Sequence, residues 1–134
     1  MAKLETIEGI GPVYADQLRE AGIGSVEALL EAGATPEGRQ QIHESTGIGD
    51  EFILDWVNRA DLMRVRGVGE EYSDLLERAG VDTVVELAQR NAQNLYQKMA
   101  EVNEEEELVR RLPTPVMVED WVKQAKALPR GVSY

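Results

Sequence analysis

Residues 7–30 read IEGIGPVYADQLREAGIGSVEALL, and residues 65–88 read VRGVGEEYSDLLERAGVDTVVELA. At a constant offset of 58 the pairs Gly9/Gly67, Gly11/Gly69, Tyr14/Tyr72, Asp16/Asp74, Leu18/Leu76, Ala21/Ala79, Gly22/Gly80, Val26/Val84 and Leu29/Leu87 are identical. Ile7/Val65, Ile10/Val68, Ile23/Val81 and Ser25/Thr83 are conservative besides. Each copy opens on Gly-apolar-Gly. Glycine accepts positive φ without a Cβ clash, so a chain can reverse there within a few residues. The central Ile10 or Val68 is then placed to tuck back between the flanking helices as an apolar plug. Thr46-Gly47-Ile48-Gly49-Asp50 gives a third, less complete version with Ile48 in the middle.

Outward from these turns, the apolar period is helical almost everywhere. Tyr14, Leu18 and Ala21 share one face, as do Phe52, Ile53, Trp56, Val57 and Ala60, then Tyr72, Leu75, Leu76 and Ala79, and finally Val118, Trp121, Val122, Ala125 and Leu128. Gly22 and Gly80 stand where a left-handed residue ends a helix. Thr35-Pro36 and Thr114-Pro115 place an N-cap before a proline at the first helical position. Thr83-x-x-Glu86 and Asn103-x-x-Glu106 read as capping boxes. These signals predict helices over 2–7, 12–21, 25–33, 36–46, 50–65, 70–79, 83–90, 91–102, 104–111 and 115–128. The fold class is all-α.

Residues 53–60, ILDWVNRA, align with residues 118–125, VEDWVKQA, at an offset of 65. The rise from 58 to 65 requires seven extra residues in the second half, placed most simply near 103–115. The expected organisation is therefore a first lobe over 1–64, a second over 65–128 with that insertion, and a tail over 129–134. A lobe of about sixty residues buries only ~60% of its unfolded surface, so the two are expected to pack together.

Ile7–Ala15 and Val65–Ser73 resemble the turn of the helix-hairpin-helix motif, and the chain looks like two paired helix-hairpin-helix domains in tandem. Over almost its whole length it also resembles a bacterial helix-hairpin-helix family of unknown function, most strongly across Gly9–Gly22 and Trp56–Gly80. In DNA-binding members, the resemblance implies, hairpin amides hold backbone phosphates, sometimes with a monovalent cation, and nearby Lys or Arg adds charge. Carried onto this chain, the phosphate-contacting candidates are Gly9, Ile10, Gly11, Gly47, Ile48, Gly49, Gly67, Val68 and Gly69. Lys3, Arg19, Arg64 and Arg66 would support them. The likeness departs at the fourth turn, where residues 103–115 hold no Gly-x-Gly.

Charge works against that use. The chain carries 14 basic and 25 acidic residues, a net charge of −11. Residues 1–66 hold 6 basic and 12 acidic side chains and residues 67–134 hold 8 and 13, so no basic lobe hides in the average. Such a field disfavours a polyanionic partner and favours a basic one. Pro12 removes one amide donor from the first turn, while Glu70 and Glu71, like Asp50 and Glu51, stand where a phosphate would arrive.

The remaining chemistry is sparse. There is no cysteine, which excludes disulfides and thiolate metal sites and points to a reducing, cytoplasmic setting. No apolar run approaches a membrane span, and MAKLETIEGIG lacks the apolar stretch of a signal peptide. His43 is the single histidine, so no metal site is expected, and no cofactor. With no Ser/His/Asp or Cys/His constellation, no catalytic residue is assigned and an enzyme is not expected. Trp56 and Trp121, at matching positions, are expected in the core.

Glu104, Glu105, Glu106 and Glu107 are expected at a helix start, where the macrodipole welcomes acids. With Tyr134 in the tail they form the candidate interaction surface. The expected function is a non-enzymatic interaction module, an adaptor or accessory subunit that binds another protein with a basic surface. The alternative is sequence-nonspecific binding of DNA or RNA backbone through the Gly-x-Gly turns.

Overall fold

The computed structural model describes residues 2–134, and Met1 lies outside them. The described chain is all-α. A single-turn 3-10 helix, η1 (Leu4–Thr6), precedes α1 (Pro12–Glu20), α2 (Val26–Ala32), α3 (Pro36–Thr46), α4 (Asp50–Leu62), α5 (Glu70–Arg78), α6 (Val84–Ala88), α7 (Ala92–Glu106) and α8 (Pro115–Ala127). The chain divides into two compact units: residues up to Asp61 together with Gly131–Tyr134, and Leu62–Arg130.

In the first unit α1 packs on η1 and α3, and α2 packs on α3. Leu4, Leu18, Leu29 and Ile53 are fully buried there, with Trp56 1% exposed. In the second unit α6 and α7 pack on α8, and α5 packs on α7. Leu75, Leu76, Leu87, Leu95, Met99 and Trp121 belong to one continuous core. Both tryptophans are core residues, as the apolar stripes predict.

The same main-chain bonds recur at an offset of 58. The Ile10 amide donates to the Ile7 carbonyl at 3.1 Å, and the Val68 amide to that of Val65 at 3.1 Å. Helix α1 begins with Ala15 donating to Gly11, and α5 with Ser73 donating to Gly69, both at 2.9 Å. At the other end Gly22 donates to Arg19 and Ile23 to Leu18, as Gly80 does to Glu77 and Val81 to Leu76. This double closure is the Schellman motif, and its left-handed residue is Gly22 at φ +89° or Gly80 at φ +95°. Ser25 and Thr83 then cap α2 and α6 through their hydroxyls. Glu86 reaches back to the amide of Asp82 (2.9 Å), one residue before the expected Thr83.

The structure corrects the reading of the stretch after residue 90. No helix spans 104–111. Helix α7, capped by the Asn91 side chain on the Asn94 amide (3.0 Å), continues through Glu106. Asn103 is not a cap: it lies inside α7, and its side chain reaches forward to Val109, accepting from the amide at 2.9 Å and donating to the carbonyl at 3.4 Å. A run of glutamates has good intrinsic helix propensity, so nothing stops α7 at Asn103. The stop is Glu107, at φ +51° and ψ +47°, whose amide donates to the Asn103 carbonyl at 2.8 Å. Glu104–Glu107 therefore sit at a helix C-terminus, where the macrodipole opposes them. Arg78 offsets one of them through Glu106, at 2.9 Å.

The expected helix over 2–7 is a single 3-10 turn, and 83–90 shortens to Val84–Ala88. Residues 131–134 do not fray: they fold into the first unit.

Candidate functional site

The three glycine turns put their apolar residues where the sequence predicts. Ile10, Ile48 and Val68 are 4, 4 and 5% exposed, so their side chains plug the turns. Gly9 and Gly67 take φ of +98° and +99°. A Cβ on Gly9 would lie 3.1 Å from Trp56 Nε1, and one on Gly67 would lie 3.0 Å from Trp121 Nε1. Each turn is thus seated against the indole edge of its own unit. Gly47 (φ +77°) closes α3 by donating to the His43 carbonyl at 2.8 Å. The His43 ring Nδ1 lies 2.6 Å from the Ile48 carbonyl and 3.8 Å from Asp50 Oδ1. His43 therefore braces the third turn.

The helices that follow glycine turns start differently from those with a capping side chain. Hydroxyl or amide side chains of Ser25, Thr35, Thr83, Asn91 and Thr114 cap α2, α3, α6, α7 and α8. Helices α1 and α5 begin at Gly11 and Gly69 with no side-chain cap. No side chain caps their first-turn amides, a geometry that can receive an anion, although Pro12 supplies no amide in α1. Helix α5 then places Glu70 and Glu71 in that first turn, whereas α1 has no acid there.

Two of the four supporting cations have their side chains engaged. Arg19 donates to Glu5 at 2.8 Å and lies 3.6 Å from Asp16. That hydrogen bond, with the attraction of the Arg19 charge, holds the Glu5 carboxyl below its ordinary value, and Glu5 in turn raises Arg19. Arg64 donates to the Pro129 carbonyl at 2.8 Å. The main chain of Arg66 is held at both ends by the Gln124 side chain, at 2.8 and 3.1 Å, and its side chain is exposed like that of Lys3.

The periodicity did not single out what lies beside the first turn. Val13 is 70% exposed and Phe52 46% exposed. Phe52 stacks on Trp56 (ring centroids 6.1 Å) and lies 6.2 Å from Tyr14, which meets Trp56 edge-on at 5.0 Å. The result is an aromatic cluster, buried at Trp56 and open at Phe52, on α1 and α4. Exposed Asp16, Asp50 and Glu51 belong to the same two helices. In the second unit the position matching Val13 is Glu71 and the one matching Phe52 is Met117. There Tyr72 meets Trp121 at 5.2 Å and donates to the Arg111 carbonyl at 2.9 Å. One signal was available: Val13 falls off the Tyr14–Leu18–Ala21 face, so a helix there must show it to solvent.

Glu104–Glu107 are all exposed, and Tyr134 is 63% exposed. Among the described residues no group of three or more His, Cys, Asp or Glu side chains is placed to hold a metal ion, and no helix is long and apolar enough to cross a membrane. Compared with known proteins, residues 8–128 match a family model described as a domain of unknown function (DUF4332). No curated protein and no solved structure matches the chain.

Proposed function

The chain belongs to the DUF4332 family of unknown function, and from its own geometry we propose that it is a non-enzymatic helix-hairpin-helix module that binds another protein as an adaptor or accessory subunit. The single observation that carries this reading is the exposed Phe52 ring backed by Tyr14 and Trp56, with Val13 also exposed in the first turn of α1. An exposed ring over a buried indole is a rigid anchor, the kind of group that dominates protein interfaces. Exposed Asp16, Asp50 and Glu51 on the same two helices favour a partner with a basic rim, consistent with the net charge of −11. The phosphate-clamp use of such turns has fewer cations to draw on here, because Arg19 bonds Glu5 and Arg64 bonds the Pro129 carbonyl, which leaves the exposed side chains of Lys3 and Arg66.

Cross-linked capture in the native host tests this. The parent chain should recover one stoichiometric protein partner. Val13→Asp with Phe52→Ser should lose it, since removing a central aromatic anchor costs about 2 kcal/mol or more, roughly 30-fold in affinity. Equal capture by the parent and the double variant would refute the surface.

A second reading, backbone binding of DNA or RNA, is favoured by the uncapped starts of α1 and α5. Its affinity would come mainly from counterion release and would fall steeply with salt. A gel shift titrated from low ionic strength decides it: no retardation of duplex or single strands removes this reading.

A further inference from the structure

Residues 131–134 make a set of contacts that Val13 and Phe52 do not share. Val132 is 2% exposed. The Ser133 amide donates to the Ala34 carbonyl at 2.8 Å, and its hydroxyl donates to the same oxygen at 3.2 Å. Arg39 donates through Nη2 to the Ser133 carbonyl at 2.8 Å. The Tyr134 hydroxyl donates to Asn58 Oδ1 at 3.1 Å, and the Arg39 guanidinium lies 6.0 Å from the centre of its ring.

The receiving surface is built largely by bonds that do not involve this segment. Arg39 also donates through Nη1 to the Gly33 carbonyl at 2.9 Å, which positions its guanidinium in advance. Thr35 caps α3 through the Gly38 amide at 3.1 Å, fixing the α2–α3 junction and with it the Ala34 carbonyl. Gly33 sits tight against α4, where a Cβ would come 2.5 Å from Val57 Cγ2. Main-chain pairing at the middle residue, with side-chain readout at its two neighbours, is how proteins recognise extended peptides.

We propose that the first unit carries a peptide-recognition groove, formed by the α2–α3 junction, Arg39 and Asn58, that takes an extended Val-x-Tyr segment from a partner protein and is masked by the chain's own residues 131–134. The central residue contributes chiefly its backbone amide and carbonyl, each bonded at 2.8 Å, with a longer hydroxyl bond to the same Ala34 oxygen at 3.2 Å, so its side chain is the least constrained of the three. The aromatic position is read by a guanidinium at its face and an amide at its hydroxyl. Tethering gives the resident segment a local concentration on the order of millimolar, so a partner peptide enters when that segment is displaced.

The test uses the full chain and a fluorescent Arg-Gly-Val-Ser-Tyr peptide, read by anisotropy. Val132→Asp destroys the buried apolar contact and Ser133→Pro removes both donors to the Ala34 carbonyl, so each releases the resident segment. Each variant is expected to bind the peptide at least about tenfold more tightly than the parent, and adding Arg39→Ala should abolish that gain. Three results overturn the proposal. The released variants stay folded by circular dichroism and bind no peptide; the parent binds it equally well; or both variants unfold, which would make the segment a structural staple.

Discussion

Substituting alanine for individual turn glycines separates two costs that the structure assigns to different positions. At Gly22 the backbone sits at φ +89° with no atom within 4 Å of a built Cβ. Gly22→Ala therefore carries only the conformational cost of a left-handed backbone, about 1–2 kcal/mol. At Gly9 and Gly67 the same backbone cost applies, and the new methyl also meets an indole nitrogen at 3.1 or 3.0 Å. Those indoles are 1 and 2% exposed and cannot swing aside into solvent. Overpacking of a core adds roughly 1–3 kcal/mol, so Gly9→Ala and Gly67→Ala should each cost about 2–5 kcal/mol.

Gly11, at φ −90° with open space, is the control. Restricting the unfolded chain stabilises Gly11→Ala by about 0.4–1 kcal/mol, while losing glycine at an N-cap costs a similar amount, leaving a net effect near zero. Equilibrium urea unfolding followed by tryptophan fluorescence reads the series, because Trp56 reports on the first unit and Trp121 on the second. With an m-value of roughly 2 kcal/mol/M, a loss of 3 kcal/mol lowers the midpoint by about 1.5 M. If Gly9→Ala proves no worse than Gly22→Ala, the indole contact contributes nothing. If Gly11→Ala costs as much as Gly9→Ala, the assignment by φ fails.

Glu107 holds the single positive φ among non-glycine residues described here, so Glu107→Gly should raise stability by about 0.5–1 kcal/mol and lift the thermal midpoint; an unchanged midpoint would mean the left-handed geometry carries no strain. The Glu5–Arg19 pair makes a pH-dependent contribution. The folded Glu5 carboxyl lies below its ordinary value of 4.5, so the pair's stabilisation is fully present above pH 4.5 and is lost as pH falls through the lowered folded value. Both side chains are about two-fifths exposed, so salt should shrink the effect, and Glu5→Gln should flatten the acid limb of the stability curve. An acid limb that is unchanged in Glu5→Gln would show that the pair contributes nothing to folding.

The glycines, prolines and hydroxyl caps made most of the first ninety residues legible, because each acts through atoms within a few positions of itself. Gly22 and Gly80 close their helices, Ser25 and Thr83 open the next ones, and Ile10, Ile48 and Val68 are buried for local steric reasons. Reading failed where a side chain reached further. Asn103 followed by Glu106 satisfies a capping pattern, yet the asparagine spends its amide on Val109, six residues on. Glutamates at 104–106 were a countersignal, since good helix formers leave no reason to stop. Phe52 fitted a helical stripe, but the period gives a direction and not what lies across from it. That Arg39 binds Ser133, ninety-four positions away, has no local signature.

The chain leaves the ribosome in order, and the division of its units runs against that order. Residues up to Asp61 emerge first, but the piece that completes their unit, Gly131–Tyr134, comes after all of Leu62–Arg130. At roughly 5–20 residues per second, translating that intervening stretch takes several seconds. During that interval the earlier-made unit stands with its Ala34 carbonyl and Arg39 guanidinium lacking their bonds to Ser133, and the later-made unit receives its last residue before Gly131–Tyr134 arrive. The first half to be synthesised is the last to be finished, and a nascent-chain partner has that window in which to reach it.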